Sequence, residues 1–280
     1  MYFRSDFKIY RATQTHSIQY FNGDSVELEF SAGKHTYQVG GEYVPSVTTI
    51  LDVINKPALM PWAAAEGARW FRDNTAIVPA VLGECHDDDR DAYPAFADGM
   101  TVNEMYDGIR GAFRKKSKAA RDIGTMVHKW CEQAINFKLG NGDAPALPTD
   151  ENAVRAIEGF QDWIAQNNIE WVSSEEKIYN KDHNYAGTVD AVAYVNDEFC
   201  VIDFKTSTGI WNEYFLQAAA YAEAVGLVYG DAIESAWILR FDKKTGDFEA
   251  KKSSDISADF RAFLGAQQLH GRLRELKGKR

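Results

Sequence analysis

The chain has 280 residues, 45% hydrophobic and 26% charged, an ordinary globular composition with enough length to bury one large core or two smaller ones. Forty-one acidic against 31 basic residues leave a net charge of -10, which excludes a blanket affinity for phosphate polymers and confines any nucleic-acid contact to local basic patches. No apolar run is long enough to span a bilayer and Met1 to Tyr10 lacks the apolar stretch of a signal peptide, so the expectation is a cytoplasmic protein without membrane contact.

In chain order, VELEF (26–30) and HTYQV (35–39) alternate in polarity and predict an N-terminal hairpin. PSVTTILDVI then opens a helix that Ser46 or Thr48 can cap. Helical periodicity covers 61–73 and, with room for breaks, 102–138. Between them ECHDDDRDAYPAFAD (84–98) reads as an acidic loop. RKKSKAAR gathers Arg114, Lys115, Lys116, Lys118 and Arg121, either a solvated helix face or part of a nucleic-acid path, and a second basic run ends the chain. A Gly/Pro-rich connector over 139–148 leads to a helix (150–167), an extended segment (169–180), a hairpin (187–205), a helix (212–226), a second hairpin (233–241 and 247–252) and a closing helix (256–276). Strands flanked by helices predict an α/β or α+β chain with a central mixed sheet, α/β being favoured, read as a single domain of three parts: 1–60, 61–148 and a core over 149–280. Cys85, Cys131 and Cys200 are scattered without a CxxC pair, which predicts free thiols.

The hairpin GTVDAVAYVNDEFCVIDFKTS (187–207) carries the chemistry. With Asn196-Asp197 as a two-residue turn, Val195 faces Glu198 and the register brings Asp190 opposite Asp203. Alternation puts Val189, Ala191, Ala193, Val195, Cys200, Ile202 and Phe204 on one face, and Asp190, Asp203 and Lys205 at one end of the other. Directly opposed residues have Cβ atoms about 4.5–5.5 Å apart, so the two carboxylates repel unless a cation lies between them. One reading is a surface ion-pair cluster neutralised by Lys205. The favoured reading is a site for magnesium or manganese, which takes carboxylate oxygens and fills its remaining positions with water and phosphate. Lysine beside such an ion orients or deprotonates water, or stabilises charge on a phosphate.

GTVD, VIDFKTS and QAAAY (217–221), preceded by VPSVTTIL (44–51) and GTMVHKWCE (124–132), resemble in content and order the motifs of the PD-(D/E)XK nuclease superfamily, RecB-type branch, which includes phage exonucleases and mitochondrial genome maintenance exonucleases. The resemblance implies a restriction-endonuclease-like core, with His128, Asp190 and Asp203 as ligands of Mg2+ or Mn2+ and the Phe204 carbonyl as a further one. It makes Lys205 the catalytic lysine and places the family's accessory acid at Glu175 or Glu176, with Glu175 preferred because Glu176 shares strand parity with Ile178. Gln217, Tyr221, Thr206, Ser46 and Thr48 become substrate contacts, against the plainer reading of Ser46 and Thr48 as helix caps and of Gln217 and Tyr221 as packing. Glu132, one turn after His128, is a candidate to hold the imidazole or a water. The three cysteines do not supply the four that hold an iron–sulfur cluster in some relatives. The expected activity is metal-dependent DNA hydrolysis from ends or single strands in recombination, repair or phage genome processing, with a single-strand annealing or replication protein as partner. The alternatives are a structure-specific endonuclease and a non-catalytic DNA-binding or inhibitory protein on the same fold.

Overall fold

The computed structural model describes residues 13–54, 59–76, 95–96, 102–242 and 244–278. The chain divides into two compact units, residues 1–54 with 123–280, and residues 55–122. The break falls inside a helix rather than at the 139–148 connector.

The larger unit begins with an antiparallel sheet in strand order: β1 (Thr13–Gln19), β2 (Ser25–Ser31), β3 (Thr36–Val39) and β4 (Glu42–Val44). The expected hairpin is β2 and β3. β1 has a single aliphatic residue in TQTHSIQ and β4 only three residues, so neither carries a sequence pattern strong enough to announce a strand. A short helix α1 (Val47–Leu51) follows, capped by Ser46.

The smaller unit holds α2 (Leu59–Asn74), the two-residue strands β5 (Thr75–Ala76) and β6 (Ala95–Phe96), and the first part of α3 (Val102–Lys138). Within it, Gly67 and Gly108 let α2 and α3 approach: a Cβ at Gly108 would lie 2.0 Å from the Trp70 ring and one at Gly67 3.1 Å from Ile109. Trp62 meets Phe113 edge-on at 5.6 Å. Lys116 is not a free member of the basic run, because its ammonium lies 2.7 Å from the buried carboxylate of Glu66. Arg114, Lys115 and Lys118 are exposed. The side chain of Arg121 lies outside the described residues, as do Cys85 and all of the acidic 84–98 loop except β6.

The rest of the larger unit is the C-terminal part of α3, then α4 (Glu151–Gln166), β7 (Ile169–Asn180), β8 (Tyr185–Val195), β9 (Glu198–Lys205), α5 (Asn212–Tyr229), β10 (Ser235–Phe241), β11 (Phe248–Lys252) and α6 (Ile256–Gly278). The five strands form one mixed sheet in the order β11-β10-β9-β8-β7. β10 runs parallel to β9, so the chain crosses over through α5, and the remaining neighbours are antiparallel. The class is the α/β arrangement expected from the sequence.

Two apolar layers sandwich this sheet. One packs α1, α5 and α6 against Ile178, Val192, Val201 and Ile238. The other packs α3 and α4 against Ala191, Ala193, Ile202, Phe204 and Phe241. Phe160 of α4 is the hub of the second layer, fully buried with its ring 5.7 Å from those of Phe204 and Phe241 and 6.2 Å from those of Trp163 and Phe248. Among the described residues the two cysteines, Cys131 and Cys200, are buried free thiols in this layer.

Truncating the hub tests this account of the core. Phe160→Ala should lower unfolding stability by about 3–5 kcal/mol in chemical denaturation, while Leu147→Ala in the exposed connector should stay within about 0.5 kcal/mol of the parent.

Candidate active site

The hairpin at the sheet's centre forms with the expected register, Val195 opposite Glu198 through to Ala191 opposite Ile202. Asn196 and Asp197 both take left-handed φ, 53° and 69°, as a type I′ turn demands. The ladder then stops one step short of the expected Asp190–Asp203 pair. Beyond Ile202 the strands are joined differently, because Phe204 donates its backbone N–H to Asp190 Oδ2 at 2.7 Å. A carboxylate replaces a ladder carbonyl, and Asp190, midway along β8, is bonded to the end of β9 rather than set face to face with Asp203.

A second departure lies on the other side of β8. Alternation places Val189 on the face of Ala191, but Val189 packs in the α5 layer with Val192, while Ala191 packs in the α4 layer. The reason is a paired distortion: Ser174 faces Ala191 and Glu176 faces Val189, but the Glu175–Asp190 pair between them is missing from the ladder. Glu175 there has φ 53°, a left-handed backbone that costs a non-glycine residue about 1–2 kcal/mol. Both strands change face at this step. Glu176 is consequently turned towards Tyr229, whose hydroxyl donates to its Oε2 at 3.0 Å, and Glu175 is left beside Asp190. Glu176 shares the face of Ile178, as strand parity predicts, and Glu175 does not.

The end of β9 faces α5. Lys205 Nζ lies 2.9 Å from Asp203 Oδ1 and 2.7 Å from Oδ2, donates to Gln217 Oε1 at 3.1 Å, and sits 5.0 Å from the centroid of the Tyr214 ring. Gln217 Nε2 in turn donates to the Tyr221 hydroxyl at 3.0 Å, so the i,i+4 pair works as a relay from buried tyrosine to lysine. Asp203 is 1% exposed, and its Oδ2, although close to the ammonium, receives no hydrogen bond. From the opposite layer α3 brings His128, whose Nδ1 is 3.8 Å from Asp190 Oδ1 and whose ring meets Phe204 edge-on at 6.0 Å.

Two glycines of the motifs make these approaches possible. A Cβ at Gly124 would lie 2.4 Å from Thr206 Oγ1, and one at Gly187 would lie 2.6 Å from the Tyr221 ring. They bring α3 onto the loop after β9, and α5 onto β8. Ser46 is buried and its hydroxyl is occupied, accepting from Thr49 N–H at 3.1 Å and bonding Thr48 Oγ1 at 3.0 Å. It is a helix cap that also ties α1 to Ala186 by a β-bridge. Thr48 is exposed on the same turn.

Burying this many charges perturbs them. Burial, outweighing the nearby Lys205, raises the Asp190 carboxyl above its usual range. Burial also raises Asp203, to about 6, with Asp190 adding to the effect and Lys205 opposing it. Burial alone would depress Lys205, but Asp203 and Asp190 overcome it and hold the ammonium above its usual value. His128 is lowered to about 4, by burial first and by Lys205 second, so the imidazole is neutral at physiological pH. Burial, then Asp190, raise Glu175 to about 7, with Glu132 contributing and Lys177 opposing.

Sequence reasoning missed Tyr214 and Lys177. Tyr214 falls between the lysine and glutamine motifs and is placed by the first turn of α5. Lys177 repeats the acid-x-lysine spacing of Asp203 and Lys205, its one available signal.

The two carboxylates are oxygen donors of the kind a hard divalent cation takes, and the neutral imidazole adds a nitrogen donor beside them; Asp203 Oδ2 is buried, with the Lys205 ammonium 2.7 Å away. As the side chains stand, with Lys205 on Asp203, no three His, Cys, Asp or Glu among the described residues are gathered tightly enough to hold an ion. The residues fit a cation in chemistry, and Asp203 must share its carboxylate between the ion and Lys205.

The charge cluster should leave a signature in stability. A carboxyl whose folded pKa, about 7, exceeds the ordinary 4.5 is favoured in its protonated form, so its contribution is present at acid pH and is lost as pH rises from 4.5 through 7. Glu175→Gln in metal-free buffer should therefore raise the melting temperature at pH 8, with the gain shrinking to nothing below pH 4.5. An equal gain at both pH values would remove the electrostatic explanation.

Compared with protein-family models and with curated proteins, the chain matches none, so the chemistry of this cluster rests on its own geometry.

Proposed function

We propose that the chain is a magnesium- or manganese-dependent deoxyribonuclease of the PD-(D/E)XK superfamily, RecB-type branch, hydrolysing phosphodiester bonds from DNA ends. The observation that carries the reading is the convergence of Asp190, Asp203, Lys205, Glu175 and His128 where β9 ends beside the middle of β8 and β7, with both aspartates buried around a single lysine.

Asp190, Asp203 and His128 would hold the cation. When bound, such a cation offsets the negative charge that develops on the phosphate and acidifies the attacking water. The chain's own groups do the rest. Lys205, fixed by Asp203, Gln217 and the Tyr214 ring, is a preorganised donor for a phosphate oxyanion and costs little reorganisation as charge develops. Glu175, beside Asp190 and with 37% of its side chain exposed, is placed to take the proton of the attacking water. Neutral His128 offers a nitrogen lone pair instead of a competing positive charge. Thr206, held against Gly124, and exposed Thr48 are candidate contacts for the DNA backbone. Among the described residues no helix is long and apolar enough to cross a membrane.

End-labelled linear DNA and closed circular DNA, each with magnesium, manganese or EDTA, decide the activity. Linear substrate should be degraded with either metal and spared in EDTA, and closed circles should survive. Cleavage that persists in EDTA would sink the mechanism, and efficient cutting of closed circles would make the enzyme an endonuclease.

Two substitutions separate holding the ion from acting on the phosphate. Asp203→Asn should weaken calorimetric metal binding and cleavage together. Lys205→Ala should leave metal affinity unchanged or raised, because Asp203 is freed from its ion pair, while single-turnover cleavage falls by about 10²-fold or more. Parental cleavage by Lys205→Ala would reduce the cluster to a structural ion-pair network.

A further inference from the structure

Asp190 on β8 is flanked on both sides by an acid-x-lysine pair, Asp203 and Lys205 on β9 and Glu175 and Lys177 on β7. The two lysines are used differently. Lys205 grips the carboxylate of its acid. Lys177 Nζ stays 4.0 Å from Glu175 Oε2 and donates instead to the backbone carbonyl of Glu175 at 3.1 Å. That carbonyl belongs to the residue with left-handed backbone at which β7 and β8 change face.

The ammonium is otherwise placed against the N-terminal sheet, 5.3 Å from the centroid of the Phe30 ring, and the Lys177 side chain is only 14% exposed. A lysine buried to that degree with a fixed aromatic wall is a rigid clamp, unlike a flexible surface cation. It also supplies the positive charge that lets Glu175 sit near Asp190 and Glu132. Regular strand geometry at Glu175 would restore alternation, and the carboxylate would leave the site with the phase of the strand.

We propose that Lys177 is a positioning residue that clamps the left-handed backbone at Glu175 and thereby keeps the Glu175 carboxylate beside Asp190. The kinetic part of this proposal rests on the nuclease reading above; the structural part does not.

The test has a metal-free arm and a kinetic arm. In the apo protein, Lys177→Met should shift the Glu175 13Cα resonance and its backbone HN–Hα coupling away from left-handed values, while Lys177→Arg should keep them. With magnesium, Lys177→Met should slow single-turnover cleavage by about 10- to 100-fold, part of the roughly 10²- to 10⁴-fold that a proton-transferring group contributes. The double variant Lys177→Met with Glu175→Gln should be no slower than Glu175→Gln alone, because both act through one carboxylate. An unchanged Glu175 backbone in Lys177→Met overturns the proposal, and so do fully multiplicative rate effects. If Lys177→Met fails to fold, it is rebuilt in a Glu175→Gly background, where glycine holds the left-handed turn unaided. Recovery of folding there supports the clamp, and continued failure overturns it. If the parent protein cleaves no DNA, the nuclease reading falls and the backbone measurement still decides the role of Lys177.

Discussion

The hydrogen bond from the Phe204 N–H to the Asp190 carboxylate is the interaction on which the candidate site depends. A regular hairpin would carry its ladder past Ile202 and press Asp190 and Asp203 together. By accepting a backbone N–H, Asp190 ends the ladder and satisfies a buried donor. Its other oxygen is left 3.8 Å from His128 on the far layer, while Asp203 turns towards α5. One strand end thus draws on both helical layers, α3 through His128 and α5 through Gln217, Tyr221 and Tyr214.

The rest of the core makes this tolerable. Val192, Val201, Ala191, Ala193 and Ile202 are fully buried beside the acids, so two continuous apolar layers hold the strands while burial raises the pKa values of Asp190 and Asp203. A carboxyl kept above its usual range is destabilising at neutral pH, which is the pattern of a site arranged for binding or proton transfer more than for stability. Lys205 does not cancel the cluster. It sits against both oxygens of Asp203 and neutralises part of the charge, and the Asp203 carboxyl still lies above its usual range.

Much of this was legible in the residues. The turn at Asn196-Asp197, the register to Ala191–Ile202, the end of the hairpin as the polar end, and the i,i+4 partnership of Gln217 and Tyr221 all follow from alternation and helical period. Gly124 and Gly187 were visible as motif positions, and their reason, room for Thr206 and for Tyr221, became visible only with the neighbouring elements in place. Val189 went to the opposite layer because alternation assumes an undistorted strand. The distortion at Glu175 and Asp190 is shared by two strands, and Lys177 bonds the Glu175 carbonyl at that step. Ser46 was open between cap and substrate contact, and its occupied hydroxyl makes it a cap.

By itself the sequence determined the order and type of the main elements and the α/β class, and it singled out the candidate acids, lysine and histidine, because these depend on local period, turn residues and residue type. Tertiary structure decided the rest: the parallel pairing of β10 with β9 through α5, the face-change at Glu175, the placing of Lys177 and Tyr214, and the binding of Lys116 by Glu66. Each of these joins residues far apart in the chain or turns on a backbone conformation that the local sequence disfavours. Contacts of that kind are settled by what packs against a segment, and no window of neighbouring residues contains it.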